Sequence, residues 1–309
     1  MDTQNIQEKY REALDAFLAK AAADPYILGV VLLGSLSYAT VWERSDIDLY
    51  IITQEMKLRV SGYSLVENDI NIHANIVTRS AFKKSAESAP GGSFVHSIFS
   101  RGTLVYSQDE TLDELFAARH KIGARDREIG LLRNISWIVP TIDKAHKWLR
   151  AKNDPDYCFF WVMKCLDPLA TLDLIRRGVI PDREAVIHAS RLNPELFNPL
   201  YTGLINGAKD ASTLSVVVDT IEQYILRDAH ELAAPVFDYL AEIDGVRSCS
   251  EITDYFLNNM GVDGAGFICE WLADRGLIDK VSSPVRLTEK SRVQFDEAAF
   301  YYDRTHPSA

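Results

Sequence analysis

The segment that most constrains the fold lies near the N-terminus and reads LLGSLSYATVWERSDIDLYIIT. It joins two short apolar runs, ILGVVLL and Ile47 to Thr53, through a polar loop. Apolar runs of this length, bounded by turn residues, predict buried strands. Residues alternate between the two faces of a strand, so Asp46 and Asp48 share one face while Ile47 points into the core. The sequence thus predicts two carboxylates side by side at the start of a strand.

The polar residues of this segment suit phosphate chemistry. Two carboxylates on one face can hold divalent ions, and such ions bridge the oxygens of a nucleoside triphosphate and offset charge on a pyrophosphate leaving group. Gly34 lets the backbone approach the triphosphate closely, and Ser35 adds a hydroxyl and an N–H group. The expected ligands are therefore a nucleoside triphosphate and a divalent ion.

The order of these residues resembles the signature of the DNA polymerase beta nucleotidyltransferase superfamily. Gly34 and Ser35, an intervening turn, and then Asp46 and Asp48 at the start of a strand match that motif position by position. The resemblance implies a mixed sheet, Mg²⁺ (or Mn²⁺) held by the two aspartates, and transfer of a nucleoside monophosphate from a triphosphate. We expect AMP from ATP as the transferred group.

The superfamily also uses a third acid from a later strand, and here the sequence departs from the pattern. The expected strand, Asp69 to Val77, offers Asn71, His73 and Asn75 on its polar face. Asp69 shares their phase but sits at the predicted hairpin. His73 can serve as a general base or a nitrogen ligand, or it can be an ordinary polar residue on an open face. Catalysis and nucleotide binding without turnover therefore both stay open.

Three domains are predicted from the periodicity of the chain. Residues 1–120 form an α+β nucleotidyltransferase domain with a mixed sheet and flanking helices, and residues 121–233 form an all-α bundle. Residues 234–309 read as three helices, the third being GAGFICEWLADRG, then a hairpin around Ser282-Ser283-Pro284 and a final helix from Glu289. This last segment resembles winged helix-turn-helix regulators.

The pairing of the first domain with a helical bundle resembles bacterial antibiotic and antitoxin-type nucleotidyltransferases. In those families the bundle closes over the nucleotide and helps to hold the acceptor. That resemblance implies a small-molecule hydroxyl acceptor, aminoglycoside-like, with Lys164 toward the triphosphate and Asp167 or Tyr157 toward the acceptor. The alternative for these side chains is ordinary solvation and packing. His96 and Arg101 are further candidates beside the cleft. The antitoxin-type relatives also imply a second reading, in which AMP is transferred to a protein.

Charge argues against DNA binding by the C-terminal segment. Residues 236–309 carry thirteen acids and seven bases, and the predicted third helix carries Glu270 and Asp274 against Arg275 alone. Recognition helices normally present Arg, Lys, Asn or Gln. We therefore expect packing, homodimer formation or a substrate lid, and regard nucleic acid as an unlikely partner. The non-enzyme alternative is a nucleotide-binding regulator or pseudo-enzyme whose winged-helix domain acts on DNA or a protein.

Composition restricts the setting in which the protein works. The formal net charge of -11 repels phosphate backbones and suits a cationic acceptor. No window approaches the length of an apolar membrane span, and the first residues mix acids with bases and lack the apolar core of a signal peptide. The four cysteines show no zinc-like pairing and no dense disulfide framework. The expectation is a cytoplasmic protein without membrane contact.

Overall fold

The computed structural model describes residues 3–37, 42–88, 102–118, 124–242 and 245–303. The chain divides into two compact units, Met1–Lys121 and Ile122–Ala309, close to the boundary predicted after residue 120. The further division of the second unit at residue 233 stays a prediction. One hydrophobic core extends through that unit from Ile129 to Phe300.

The first unit holds a five-stranded mixed sheet, with strand order β3-β4-β2-β1-β5 among the described residues. In chain order its elements are α1 Thr3–Ala22, β1 Ile27–Leu33, α2 Gly34–Ser37, β2 Ile47–Thr53, β3 Gly62–Glu67, β4 Ile70–Thr78, α3 Arg79–Ser88, β5 Thr103–Ser107 and α4 Glu110–Ala118. β2 pairs antiparallel with β1 and parallel with β4. The predicted mixed sheet with flanking helices is confirmed.

The two faces of this sheet are covered differently. On one face, Ile47, Leu49 and Ile51 of β2 are buried in a cluster with apolar residues of α1. On the other face, Ile52 is buried in a cluster that includes Phe82 of α3. Strand alternation places Asp48 on this second face, at the start of β2. The carboxylate is thus positioned at the end of a face whose other end is packed by helices.

The hairpin between β3 and β4 turns on Asn68 and Asp69, as predicted. Both residues have positive φ, at 48° and 61°, which is the conformation of a tight hairpin turn that Asn and Asp tolerate best. The predicted alternation of β4 is also present, with its even-numbered residues from Ile70 to Ala74 buried and the odd-numbered residues between them exposed. The polar edge of the candidate site is therefore set by the pleat of a single strand.

The second unit is mostly helical. Its helices are α5 Ala124–His146, which continues as a π-helical turn Lys147–Ala151, α6 Pro155–Arg176, α7 Ala185–Leu192, α8 Pro194–Asn198, a second π-helical turn Pro199–Gly203, α9 Leu204–Asn206, α10 Ala211–Arg227, α11 Ala229–Leu232, α12 Ala234–Ala241, α13 Cys249–Met260 and α14 Ala265–Ala273. α6 starts at a Pro after the N-cap Asp154, whose carboxylate accepts from the Tyr157 N–H at 2.9 Å. Among the described residues, no helix is both long and apolar enough to cross a membrane.

The C-terminal sheet corrects the predicted hairpin. Its strands are β6 Arg247–Ser248, β7 Asp279–Val285 and β8 Phe295–Tyr301, in the order β6-β8-β7. Ser282 to Pro284, which read as a turn, lie inside β7 and pair with β8. Pro284 is tolerated there because β7 is an edge strand, where a missing N–H disrupts no second ladder.

The final helix predicted from Glu289 is wrong. Glu289 precedes β8, which occupies the stretch predicted to be helical. β8 is extended because Ala299 and Phe300 are fully buried and its backbone pairs with strands on both sides. α13 is capped by Ser248, whose hydroxyl accepts the N–H of Glu251 at 3.3 Å.

Candidate functional site

Asp46 and Asp48 stand where β2 begins. Asp46 immediately precedes the strand, and Asp48 is its second residue, directly opposite Leu33 at the end of β1. Their side chains are partly exposed, with 34% and 46% of the surface accessible. Both carboxylates can therefore reach a ligand in solution while the backbone that carries them is held in the centre of the sheet.

Gly34 is required by the position of Asp48. Its φ of +69° is unfavourable for a residue with a side chain, and a Cβ here would lie 2.5 Å from Oδ2 of Asp48. Because glycine has no Cβ, the backbone at the end of β1 lies closer to the Asp48 carboxylate than a residue with a side chain would allow. Ser35 follows as the second residue of α2, and its side chain is outside the described part of the chain.

Tyr10 of α1 holds the backbone ahead of Asp46. Its hydroxyl donates to the carbonyl of Ser45 at 2.5 Å, and the Ser45 N–H donates to the carbonyl of Trp42 at 2.9 Å. Burial, followed by the negative charge of Asp46, raises the pKa of Tyr10 above its usual value. The phenol therefore stays protonated and keeps donating, so the loop before Asp46 is tied to the helix behind the sheet.

His73 is the residue that the tertiary structure brings beside the two aspartates. It is the register partner of Asp48 across the parallel β2–β4 ladder. Its Nδ1 lies 3.8 Å from Oδ2 of Asp46 and 3.7 Å from Oδ1 of Asp48. β4 itself contains no acidic residue, and Asp69 is in the hairpin turn that precedes it. An imidazole thus occupies the sheet position next to the carboxylates.

The chemical types of these three donors suit a divalent cation. Two partly exposed carboxylates share the imidazole nitrogen as a neighbour, and Gly34 leaves the space that the Asp48 carboxylate fills. Oxygen and imidazole nitrogen are both common ligands of divalent metals. Asp46 and Asp48 would hold the cation, and the His73 imidazole lies near both of their carboxylates.

The remaining predicted residues lie elsewhere. Lys164 is on α6 in the second unit, with its Nζ 4.6 Å from the Phe160 ring centre and 4.9 Å from that of Trp161. Tyr157 on the same helix is 41% exposed and packs against Trp148 at 4.3 Å between ring centres. Burial raises the pKa of Asp167. Their roles toward nucleotide or acceptor stay predictions, and His96 and Arg101 lie outside the described residues.

A second histidine–carboxylate group was not expected from the sequence. His146, Asp219 and Glu222 in the second unit bring ligand atoms within 4.8 Å of one another. Glu222 is also paired with Arg275, and Asp219 lies 3.5 Å from Arg150. Two arginine charges already offset these carboxylates, so we interpret the group as an ion-pair network between helices. No spacing signal in the sequence connects residues this far apart.

A polar cavity of about 590 Å³ also lies in the second unit. Three arginines line it, and each is already paired with an acid. Arg176 bonds Asp228 at 2.7 Å, Arg177 bonds Asp173 at 2.8 Å, and Arg227 bonds Asp228 at 2.8 Å. The cationic lining is therefore neutralised inside the unit, which indicates a structural network rather than a phosphate site.

Replacing Gly34 with alanine should weaken nucleotide binding about tenfold or more, because the added methyl group collides with the Asp48 carboxylate in a backbone that already has positive φ. Titration calorimetry with ATP and a divalent ion measures the change. Gly178→Ala is the matched control, since Gly178 has φ of +72° but a methyl group added there would meet no atom within 4 Å. Equal losses in the two variants would contradict a specific role for Gly34.

Comparison with known proteins finds a matching family for part of the chain and a similar fold. Residues 17–111 match the family described as polymerase beta, nucleotidyltransferase. No curated protein matches the chain. A nucleotidyltransferase-like protein from Exiguobacterium sibiricum has a similar fold, with a TM-score of 0.61 at 14% identity over 94% of this chain and 98% of that one. At this identity the likeness concerns the fold.

Proposed function

We propose, on the premise that residues 17–111 form a polymerase beta-type nucleotidyltransferase domain, that the protein transfers a nucleoside monophosphate from a triphosphate to a hydroxyl group. ATP is the proposed donor and a small molecule, aminoglycoside-like, the proposed acceptor. The observation that carries the proposal is the convergence of Asp46, Asp48 and Gly34 at the open end of one sheet face. The net charge of -11 is consistent with a cationic acceptor.

Each residue has a defined part in the proposed reaction. Asp46 and Asp48 would hold the divalent ion, which when bound neutralises charge on the triphosphate and on the departing pyrophosphate. Gly34 and Ser35 would present backbone N–H groups to the phosphates. The acceptor oxygen attacks the α-phosphorus as the bond to pyrophosphate breaks, and the hydroxyl proton leaves to a base or to water. Lys164 is proposed to meet the triphosphate from the second unit.

The chemical step is tested by pyrophosphate release from ATP in the presence of a divalent ion and a panel of hydroxylated amines. We expect release that depends on one class of acceptor and that stops on addition of EDTA. Labelled ATP distinguishes transfer to a small molecule from transfer to a protein, because only the latter labels material that precipitates in acid. Release of pyrophosphate without any acceptor dependence would contradict the proposal.

One observation favours a second candidate, a nucleotide-binding regulator. β4 lacks the acid that the superfamily places on this strand, so binding without turnover is chemically reasonable. Such a protein would bind ATP with a dependence on Asp46 and Asp48 but would release no pyrophosphate with any acceptor.

In the C-terminal segment, Glu270 pairs with Lys280 at 2.5 Å, and Phe267 is 59% exposed. α14 carries no Lys or Arg, and a helix surface of this kind suits a protein partner better than DNA.

A further inference from the structure

The site differs from a set of three carboxylates because an imidazole stands beside the two aspartates. The register of the sheet determines which residue takes that place. The parallel pairing of β2 with β4 places residue 73 opposite residue 48, and the pleat directs it to the same exposed polar face. That residue is His73, whose Nδ1 is within 3.8 Å of both carboxylates. The imidazole therefore stands beside both carboxylates, and its place is set by the backbone ladder.

The distances are close to those of ligands around one ion. Two atoms that each lie about 2.1 Å from a metal are separated by roughly 3.0–3.4 Å at octahedral or tetrahedral angles. The observed separations of the His73 Nδ1 from the two carboxylates, 3.7 Å and 3.8 Å, exceed this range by about 0.3–0.4 Å. The two aspartate side chains and the imidazole are all between one third and one half exposed, which leaves them free space in which to rotate toward a common ion.

We infer that His73 is a nitrogen ligand of the metal site and that it shifts the preference of the site from magnesium toward divalent transition-metal ions. Mg²⁺ is a hard ion that requires oxygen ligands in a strict octahedron, whereas imidazole nitrogen suits transition metals. Exchanging a carboxylate for a neutral imidazole also removes one negative charge, which costs Mg²⁺ more than an ion that bonds nitrogen well. The inference rests on the proposed function in that Asp46 and Asp48 hold the ion.

The test compares metal binding by the intact protein with that of His73→Asp, without nucleotide. Co²⁺ is the probe, because its visible absorption changes when a nitrogen ligand is lost, and Mg²⁺ competition gives the relative affinity. Most sites bind Co²⁺ more tightly than Mg²⁺, so the informative quantity is the change in the Co²⁺ to Mg²⁺ affinity ratio. We expect this ratio to fall about tenfold or more in His73→Asp, with loss of the nitrogen-dependent absorption.

Two controls separate the site from its surroundings. Asn75→Asp adds an acid two residues along the same exposed face and should leave the nitrogen-dependent absorption unchanged. Asp219→Asn removes one member of the His146 group, a second place where Co²⁺ could find imidazole and carboxylates, and should leave Co²⁺ binding unchanged. Loss of the Co²⁺ signal in Asp219→Asn, with retention in His73→Asp, would overturn the inference.

The outcomes also distinguish this inference from the proposed function. One outcome is that His73→Asp binds both ions with an unchanged affinity ratio, while the double variant Asp46→Asn/Asp48→Asn binds neither ion. This outcome overturns the role of His73 and leaves nucleotidyl transfer standing. Failure of the wild type and His73→Asp to bind either ion, with ATP or without it, overturns both. A lower ratio in His73→Asp supports the nitrogen ligand whether or not pyrophosphate is released.

Discussion

Asp48→Asn is expected to lower the rate of pyrophosphate release by about 10²- to 10³-fold while the protein stays folded. The substitution keeps the size of the side chain but removes a charge that faces His73 at 3.7 Å and adjoins the backbone at Gly34. A carboxylate that holds a divalent ion stabilises charge on the reacting phosphates, and a loss of about 3–4 kcal/mol of transition-state stabilisation gives that factor. Steady-state kinetics with saturating ATP and metal measure it.

Asp69→Asn is the matched control for this experiment. Asp69 is in the turn between β3 and β4 of the same sheet and undergoes the same chemical change, and Asn tolerates its φ of 61°. Because Asp69 lies in the turn before β4, we expect the rate of pyrophosphate release by Asp69→Asn to stay within about twofold of the wild-type rate. A large loss in Asp69→Asn would instead identify Asp69 as the third acid. Near-normal turnover in Asp48→Asn would refute the metal site.

The second large effect is expected on the stability of the second unit when Asp173 is replaced. Only 2% of this residue is exposed, yet its carboxylate accepts hydrogen bonds from the Tyr224 hydroxyl at 2.6 Å, Asn193 Nδ2 at 3.0 Å and Arg177 Nε at 2.8 Å. Burial, followed by the bond to this carboxylate, raises the pKa of Tyr224 to about 12, so the phenol donates throughout the ordinary pH range. Asp173 thus joins α6 to α10 and to the start of α8.

Asp173→Ala should lower the free energy of unfolding of the second unit by about 3 kcal/mol, because it leaves the Tyr224 hydroxyl buried without its acceptor and also removes the bonds to Asn193 and Arg177. Urea denaturation followed by tryptophan fluorescence suits the measurement, since four of the five tryptophans are in this unit and Trp42 alone is in the first. Asp219→Ala is the control. Asp219 is half exposed and pairs loosely with Arg150 at 3.5 Å, so its removal should change stability by less than about 0.5 kcal/mol. Similar losses in both variants would contradict the role of Asp173.

Local patterns were sufficient to predict the first unit. The apolar runs of β1 and β2, the Asn68-Asp69 hairpin and the alternation of β4 all depend on neighbours within a few residues, which is where strand period and turn chemistry act. The C-terminal hairpin was harder. Ser282 to Pro284 carry a turn pattern, and only the edge position of β7 makes an extended Pro284 acceptable.

Part of the candidate site was likewise predictable from the sequence, and the rest depended on the tertiary structure. The amino-acid order alone determined that Gly34, Asp46 and Asp48 lie close together, because they flank adjacent strands joined by one short connection. Whether any residue of β4 reaches the aspartates was decided by the parallel register of β2 and β4, a long-range pairing that no local pattern encodes. That register sets His73 beside Asp48 and leaves Asp69 in the turn. The ion-pair networks of Asp173 and Glu222 likewise join residues far apart in the chain, and only the packing of the helices brings them together.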